Sequence, residues 1–276
     1  MTDKSHKSRR VQQIAWVIAI IAFSALAGMA VAWRAPGVEL YARDRLMRSR
    51  GRIAPPDDIV IIAIDEASIA RFGRFPWPRA LMADALDRLS ATQPKAIALD
   101  VLYSEPTLTN KDDDQRLAAS IARAGNVIAA AQLIGDNGEA RPAEWLWPLP
   151  EMARAAAGVG HVNVLTESDG AARGLLLRAA DNEGRSLWAM AVETVRIGDR
   201  LSETALLDLP QGVAIGARII PVQREASLFI VNPRDPGAQT KTVSADRMTI
   251  DYIGPTGSFA PRTYSFAEMM DGRVSP

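Results

Sequence analysis

The sequence predicts an α/β domain with a mostly parallel or mixed sheet and helices on both faces, preceded by one N-terminal transmembrane helix. Continuous apolar runs at residues 59–64, 96–99 and 127–131 are typical of strands that are covered on both faces. Helical patterns separate these runs, and this alternation is typical of a parallel sheet. A long apolar segment without charges comes before all of them.

The first element is this charge-free segment, residues 11–33. As a helix it is long enough to cross the hydrocarbon core of a bilayer, which is about 30 Å thick. We predict a retained transmembrane helix there, after a cytoplasmic tail of residues 1–10. A cleaved signal peptide is the alternative, because a basic start and small residues accompany the apolar run. Basic residues flank the segment on both sides, so its orientation does not follow from charge alone.

Residues 34–56 are predicted to form a juxtamembrane helix and a linker. Apolar residues from Val38 to Met47 occur among arginines, as in a helix with one apolar edge. Pro55 and Pro56 end this helix. An extracytoplasmic domain is predicted from residue 57 to residue 276.

Within this domain, a helix is predicted from about Pro78 to Ser90 and a second helix from about Asp112. If the first two strands are parallel neighbours, the acids that follow them meet at the carboxyl edge of the sheet, where open α/β sheets bind ligands. The turn Phe-Pro-Trp-Pro-Arg belongs to the same edge. The predicted ligand site therefore consists of Asp65, Trp77, Arg79, Asp100 and Glu105.

A purely structural interpretation of the same residues is also open. In it, Asp65 and Asp100 accept hydrogen bonds from the backbone of their own loops and pair with Arg79. A third interpretation is a membrane-anchored periplasmic metal-dependent α/β hydrolase, in which the two aspartates hold a divalent cation that activates water.

Composition excludes several classes of function. Lysine and arginine together number 32, as do aspartate and glutamate, so the chain lacks the basic excess that favours nucleic-acid binding. There is no cysteine and there are two histidines, which excludes thiolate and multi-histidine metal sites within one chain. We expect no cofactor and no nucleic-acid partner.

Four other segments favour structural roles. Asp112, Asp113 and Asp114 complement the dipole of a helix rather than bind metal. His161 is predicted in a loop or at a strand end rather than as a base. Asp169 and Gly170 form a turn, and Arg173 reaches the sheet edge or an acid on a nearby loop. Residues 231–247 are polar and are predicted to form an inserted loop.

Five segments between residue 39 and about residue 180 carry a family resemblance. In order they are ELYARDRLMRSR, IVIIAIDEASIARFGRFPWPR, AIALDVLYSEP, DDDQRLAASIARAGNVIAAA and GVGHVNVLTESDGAARGLLLRA. Together they resemble the type-2 CHASE domain, the cyclase and histidine-kinase associated sensory extracellular domain.

The resemblance implies a non-catalytic bacterial sensor outside the cell membrane, with its N-terminus in the cytoplasm. It implies a small-molecule or protein stimulus and a homodimer. The output would be a cytoplasmic nucleotide cyclase, histidine kinase or Ser/Thr kinase that is not present in this chain. A last strand of the domain and further transmembrane helices are expected beyond residue 276.

Overall fold

The computed structural model divides the chain into two compact units. Its described residues are 14, 16–28, 36–107, 110, 112–134, 144–166, 169–181, 183–228 and 243–273. The first unit comprises residues 1–55 with 252–258, and the second comprises residues 56–251 with 259–276.

The described residues of the first unit form two helices. Residues 14 and 16–28 are the described part of α1, and α2 runs over Pro36–Arg50. The predicted transmembrane segment, 11–33, lies partly outside the described residues. Within the ranges given above, no helix combines the length and apolar composition that crossing a membrane requires.

The C-terminal end of α2 is held by the segment 252–258. The Arg50 guanidinium donates a hydrogen bond to the carbonyl of Tyr252, and the Ile53 amide donates to the carbonyl of Ile253 at 2.8 Å. A helix is present within the predicted segment 34–56, and its place next to a membrane stays a prediction. Tyr41 and Leu46, two of the apolar residues predicted on one edge, are 64% and 71% exposed.

The second unit is a mixed α/β domain, as predicted. Its helices are α3 (Glu66–Phe72), α4 (Arg79–Ala91), α5 (Asp112–Ala124), α6 (Pro150–Ala155), α7 (Met190–Gly198) and α8 (Phe266–Met270), with single 3₁₀ turns at Glu203–Ala205 and Ala260–Arg262. Its first eight strands are β1 (Ile61–Ala63), β2 (Ile97–Leu99), β3 (Val127–Ile134), β4 (Glu144–Leu146), β5 (Gly158–His161), β6 (Val164–Thr166), β7 (Ala172–Ala180) and β8 (Ser186–Trp188). The remaining strands are β9 (Leu206–Leu209), β10 (Gly212–Ile215), β11 (Arg218–Ile220), β12 (Gln223–Leu228), β13 (Val243–Thr249) and β14 (Thr263–Ser265).

A parallel sheet of β2, β3 and β5 lies at the centre, and β4 adds to β3 in antiparallel orientation. Helices cover both of its faces. Val127 packs in one apolar cluster with residues of α5 and α6, whereas Ile128 and Ala130 pack against Met190 of α7. Because successive side chains of a strand point to opposite faces, β3 needs the continuous apolar run from which it was predicted.

The strand β1 pairs in parallel with β14 and not with β2. The prediction that the first two strands are neighbours is therefore wrong. The sheet edge at which Asp65 lies belongs to β1 and β14, and Asp100 follows β2 in the central sheet.

Two antiparallel sheets complete the second unit. One has the order β12, β13, β7, β6, with β8 also paired to β7, and the other is the meander β9, β10, β11. The predicted inserted loop at residues 231–247 is wrong over its last five residues, which belong to β13 between β7 and β12. Residues 231–242 lie outside the described part.

Gly160 of β5 packs directly on the start of α7. A Cβ at this position would lie 2.5 Å from the Cα and 2.7 Å from the backbone nitrogen of Met190. The contact is with backbone, so it could be relieved only by moving the helix away from the strand.

We predict that Gly160→Ala lowers the free energy of unfolding by about 1–3 kcal/mol through overpacking. Gly198→Ala is the matched control, since a Cβ there would meet only ordinary contacts at 3.7 Å and 3.8 Å. Chemical denaturation of both variants measures the difference. Equal stabilities would show that α7 is not seated on β5 as described.

Candidate functional site

Asp65 follows β1 and caps the N-terminus of α3. Its Oδ1 accepts a hydrogen bond from the Ser68 amide at 2.9 Å and another from the Ser68 hydroxyl at 2.5 Å. The Ser265 hydroxyl donates a third at 2.9 Å. These donors, the Ser68 hydroxyl foremost, favour the ionised form and hold the pKa of Asp65 below its usual value against the opposing effect of burial.

The same hydrogen bonds join two segments that are distant in sequence. The Ser68 hydroxyl, which is fully buried, accepts a hydrogen bond from the Ala267 amide at 3.1 Å. Because β1 and β14 are parallel neighbours, α3 and α8 begin at the same edge of their sheet. We term Asp65, Ser68, Ser265 and Ala267 the terminal junction.

Trp77 lies in the core beside this junction. It is 4% exposed and packs against the rings of Phe72, Phe75 and Phe266, with centroids 4.9–5.6 Å away. Its indole nitrogen donates a hydrogen bond to the carbonyl of Gly73 at 2.7 Å. This aromatic cluster therefore adds apolar contacts between α8 and the segment that follows β1.

Arg79, the first residue of α4, is held by three groups. Its Nε lies 3.3 Å from Oδ1 of Asp114, in an ion pair whose side chains are 13% and 6% exposed. Its Nη2 donates to the carbonyl of Glu105 at 3.2 Å, and the guanidinium lies 4.2 Å from the ring centroid of Tyr103. Burial raises the pKa of Tyr103, and the charge of Arg79 opposes this effect.

Asp114 also accepts a hydrogen bond from the Thr107 amide at 2.8 Å. The sequence indicated only that this acid complements the dipole of α5 and gave no sign of its partner. The pair fixes the loop after β2 between α4 and α5, because both the loop backbone and Arg79 contact the same carboxylate.

The five predicted site residues thus have different surroundings. Arg79 contacts the backbone of Glu105. Asp100 and the side chain of Glu105 are exposed, and in the described ranges neither carboxylate has a recorded hydrogen bond or ion pair. No recorded contact within those ranges joins Asp65 or Trp77 to Asp100.

His161 is the last residue of β5, as predicted, and it is almost completely buried. Its ring stacks on Trp145 at a centroid distance of 5.8 Å. Neither ring nitrogen has a hydrogen-bond partner among the residues described here. Burial alone lowers the pKa of His161 to about 4, since charging the ring would leave a cation without solvent or partner.

The predicted turn at Asp169 and Gly170 is confirmed. Gly170 has a φ of 79°, a conformation that favours glycine, and Asp169 accepts a hydrogen bond from the Ala171 amide at 3.1 Å. Both oxygens of Asp169 accept hydrogen bonds from Arg173 at 2.8 Å. The arginine and this turn lower the pKa of Asp169 to about 2.

A family model for the CHASE2 domain matches residues 15–276, nearly the whole chain. The chain belongs to the CHASE2 domain family. The resemblance seen in five sequence segments is therefore confirmed. CHASE2 domains are sensory extracellular domains of signalling receptors and are not themselves catalytic. Neither the comparison with curated proteins nor the comparison with solved structures gave a match.

No metal centre is found in the described part of this CHASE2 domain: there, no three or more acidic or histidine side chains are grouped so as to hold an ion. The alternative hydrolase requires Asp65 and Asp100 to share an ion, and in the described part these residues follow strands of different sheets. An open groove of about 370 Å³ lies elsewhere, against β13, and none of the five predicted ligand residues lines it. Its lining residues are Ile220, Pro221, Val222, Gln223, Arg247, Met248 and Thr249.

From the hydrogen bonds of the terminal junction, we predict that substitutions of two aspartates of the CHASE2 domain differ in their effect on the free energy of unfolding. Asp65→Asn removes an ionised acceptor of three hydrogen bonds and should lower the free energy of unfolding by about 1–3 kcal/mol. Asp100→Asn removes the same charge from an exposed side chain and should change it by less than about 0.5 kcal/mol. Chemical denaturation at neutral pH measures both. Equal losses would contradict a special role for Asp65.

His161 predicts an acid response of the folded CHASE2 domain. Its pKa is about 4 when folded and 6.5 in the reference state, so the unfolded chain binds the proton more readily. The contribution of His161 to the free energy of unfolding is therefore greatest above pH 6.5. It decreases by an amount on the order of 3 kcal/mol as the pH falls from 6.5 towards 4. Denaturation midpoints between pH 7 and pH 4 measure this loss.

His161→Phe and His161→Gln serve as a matched pair, because neither residue titrates. His161→Phe keeps an aromatic ring against Trp145, whereas His161→Gln keeps an unpaired polar group. Their stabilities at pH 7 should differ, yet both should show a weaker pH dependence than the natural chain. An unchanged pH dependence in both would assign the acid response to other groups.

Proposed function

We propose that this CHASE2 domain is the membrane-anchored extracytoplasmic sensor of a bacterial receptor. The observation that carries the proposal is the family match over residues 15–276. The output is a cytoplasmic nucleotide cyclase, histidine kinase or Ser/Thr kinase outside this chain, and the receptor is a homodimer. The stimulus is a small molecule or a protein.

The anchor is residues 11–33, with the N-terminus in the cytoplasm and the globular domain in the periplasm or outside the cell. Two observations support it. The segment carries no charge, and the described side chains of α1 other than Ser24 are apolar and exposed around the helix, including Trp16 at 72%, Ile21 at 62% and Phe23 at 73%. A helix that is apolar on all sides suits a lipid environment.

The stimulus binds at the edge after β2, where Asp100 and Glu105 present exposed carboxylates. Arg79 contacts this loop through the carbonyl of Glu105, whereas Trp77 and Asp65 are engaged with Phe266 and Ser265 at the other sheet edge. Two free acids favour a cationic or hydroxyl-rich ligand. Because the carbonyl of Glu105 contacts Arg79, a ligand that moves this loop also acts on the start of α4.

The terminal junction is the proposed route of output. It connects the strand that follows the juxtamembrane segment with the last described helix, α8. A shift of β1 relative to β14 would change the spacing between the strand that follows the juxtamembrane segment and α8.

Fusion reporters test the topology. We expect alkaline phosphatase fused after residue 276 to be active in a bacterial host, and a reporter that fluoresces only in the cytoplasm to be dark at the same position. Ile18→Arg with Ile21→Arg should abolish export, because each arginine at the centre of a spanning helix costs about 2.5–3.5 kcal/mol. The matched control, Leu207→Arg with Ile219→Arg, changes two exposed residues of the domain and should leave export intact.

The opposite reporter pattern would place the domain in the cytoplasm and overturn the proposal. A product shortened by about 30 residues would indicate a cleaved signal peptide and overturn the retained anchor.

A further inference from the structure

The helix α2 carries a mixed basic and apolar surface that the sensory role leaves unexplained. Tyr41 and Leu46 are 64% and 71% exposed, and Arg45 and Arg48 are exposed as well. At about 100° per residue these four side chains fall within an arc of about 160° on one side of the helix. We term this arc the exposed face of α2.

The arginines of this face have no recorded partner. Among the residues described, neither the Arg45 nor the Arg48 guanidinium makes a hydrogen bond or ion pair, in contrast to that of Arg50, which donates to the carbonyl of Tyr252. Two guanidinium groups are thus available beside an exposed tyrosine and an exposed leucine.

The charge of this face argues against pairing with a second copy. From Leu40 to Arg50 the helix contains four arginines and one acid, Asp44. Two such helices side by side would bring like charges together, which is unfavourable at this spacing. An anionic surface would instead be complementary to both arginines.

Sequence position identifies that surface. The helix α2 begins three residues after the proposed anchor at 11–33, so this inference rests on the proposed membrane topology. In that topology the arginines stand on the extracytoplasmic side, where the positive-inside rule disfavours them. Tyrosine and leucine suit the headgroup boundary, and arginine reaches phosphate from a helix lying on the bilayer.

We propose that the exposed face of α2 binds the phosphate headgroups of anionic phospholipids in the leaflet next to the sensor domain. Tyr41 and Leu46 enter the headgroup region, and Arg45 and Arg48 pair with lipid phosphates. The lipid surface thereby holds the juxtamembrane helix against the bilayer.

The absence of cysteine makes the test direct, because a single introduced cysteine is the only labelling site. The full chain with Leu46→Cys carries an environment-sensitive fluorophore and is reconstituted in phosphatidylcholine vesicles with or without about 30% phosphatidylglycerol. We expect the anionic lipid to shift the emission to shorter wavelength and to reduce quenching by acrylamide at least twofold. Raising NaCl from about 0.05 M to about 0.5 M should reverse both effects.

Two controls locate the effect. Arg45→Gln with Arg48→Gln should abolish the response to phosphatidylglycerol, whereas Arg88→Gln with Arg154→Gln, the same charge change on exposed arginines of the domain, should leave it unchanged. A label at Ala119→Cys on α5 should not respond to the lipid.

Each contrary outcome is informative. An emission at position 46 that is the same in both vesicles overturns the inference. An emission that depends on the ratio of protein to lipid and not on phosphatidylglycerol overturns it in favour of a second copy. Extraction of the chain from vesicles by alkaline carbonate would overturn the proposed anchor, so the two failures are distinguishable.

Discussion

The carboxylate of Asp65 accepts hydrogen bonds from Ser68 and from Ser265, which lies 200 residues further along the chain. The sheet edge formed by β1 and β14 depends on this contact. Pairing of β1 with β14 closes a very long loop and gains only three paired residues, so the pairing alone is a weak link. A buried serine, an ionised acceptor and the ring of Phe266 against Trp77 supply the remaining interactions. These interactions thus hold β1 and α3 against β14 and α8.

The sequence predicted those elements whose pattern depends on local structure. The apolar run of β3 shows that both faces are covered, and the pairing of Asp169 with Gly170 dictates a turn. The sequence could not predict which strand pairs with β1. An apolar run indicates that a strand is buried, but it does not indicate which strand lies beside it. β14 has only three residues, and β13 has a polar sequence that is typical of a loop.

For the candidate site, the residue types could be predicted from the sequence, but the contacts between these residues could not. Aspartate and serine are residue types that cap helices, but the sequence does not show that Asp65 and Ser265 contact each other. Ser265 does not cap α8 with its side chain: the Ala267 amide in the first turn of that helix donates to the Ser68 hydroxyl, and the Ser265 hydroxyl donates to Asp65. Likewise, the acids at the start of α5 suit its dipole, but only the packing of α4 on α5 brings Asp114 to Arg79.

Whether a charged group is already paired decides which residues can respond to a stimulus. A ligand that bound Asp65 would have to break the three hydrogen bonds that this carboxylate, with its lowered pKa, accepts. Each donor left without a partner would add to the free-energy cost. A ligand that bound Arg79 would expose the buried Asp114. Asp100 and Glu105 carry no such cost within the part of the chain described. In the proposed sensor, a stimulus would therefore act most readily through these two acids, and Arg79, which contacts the carbonyl of Glu105, would pass the change to the start of α4.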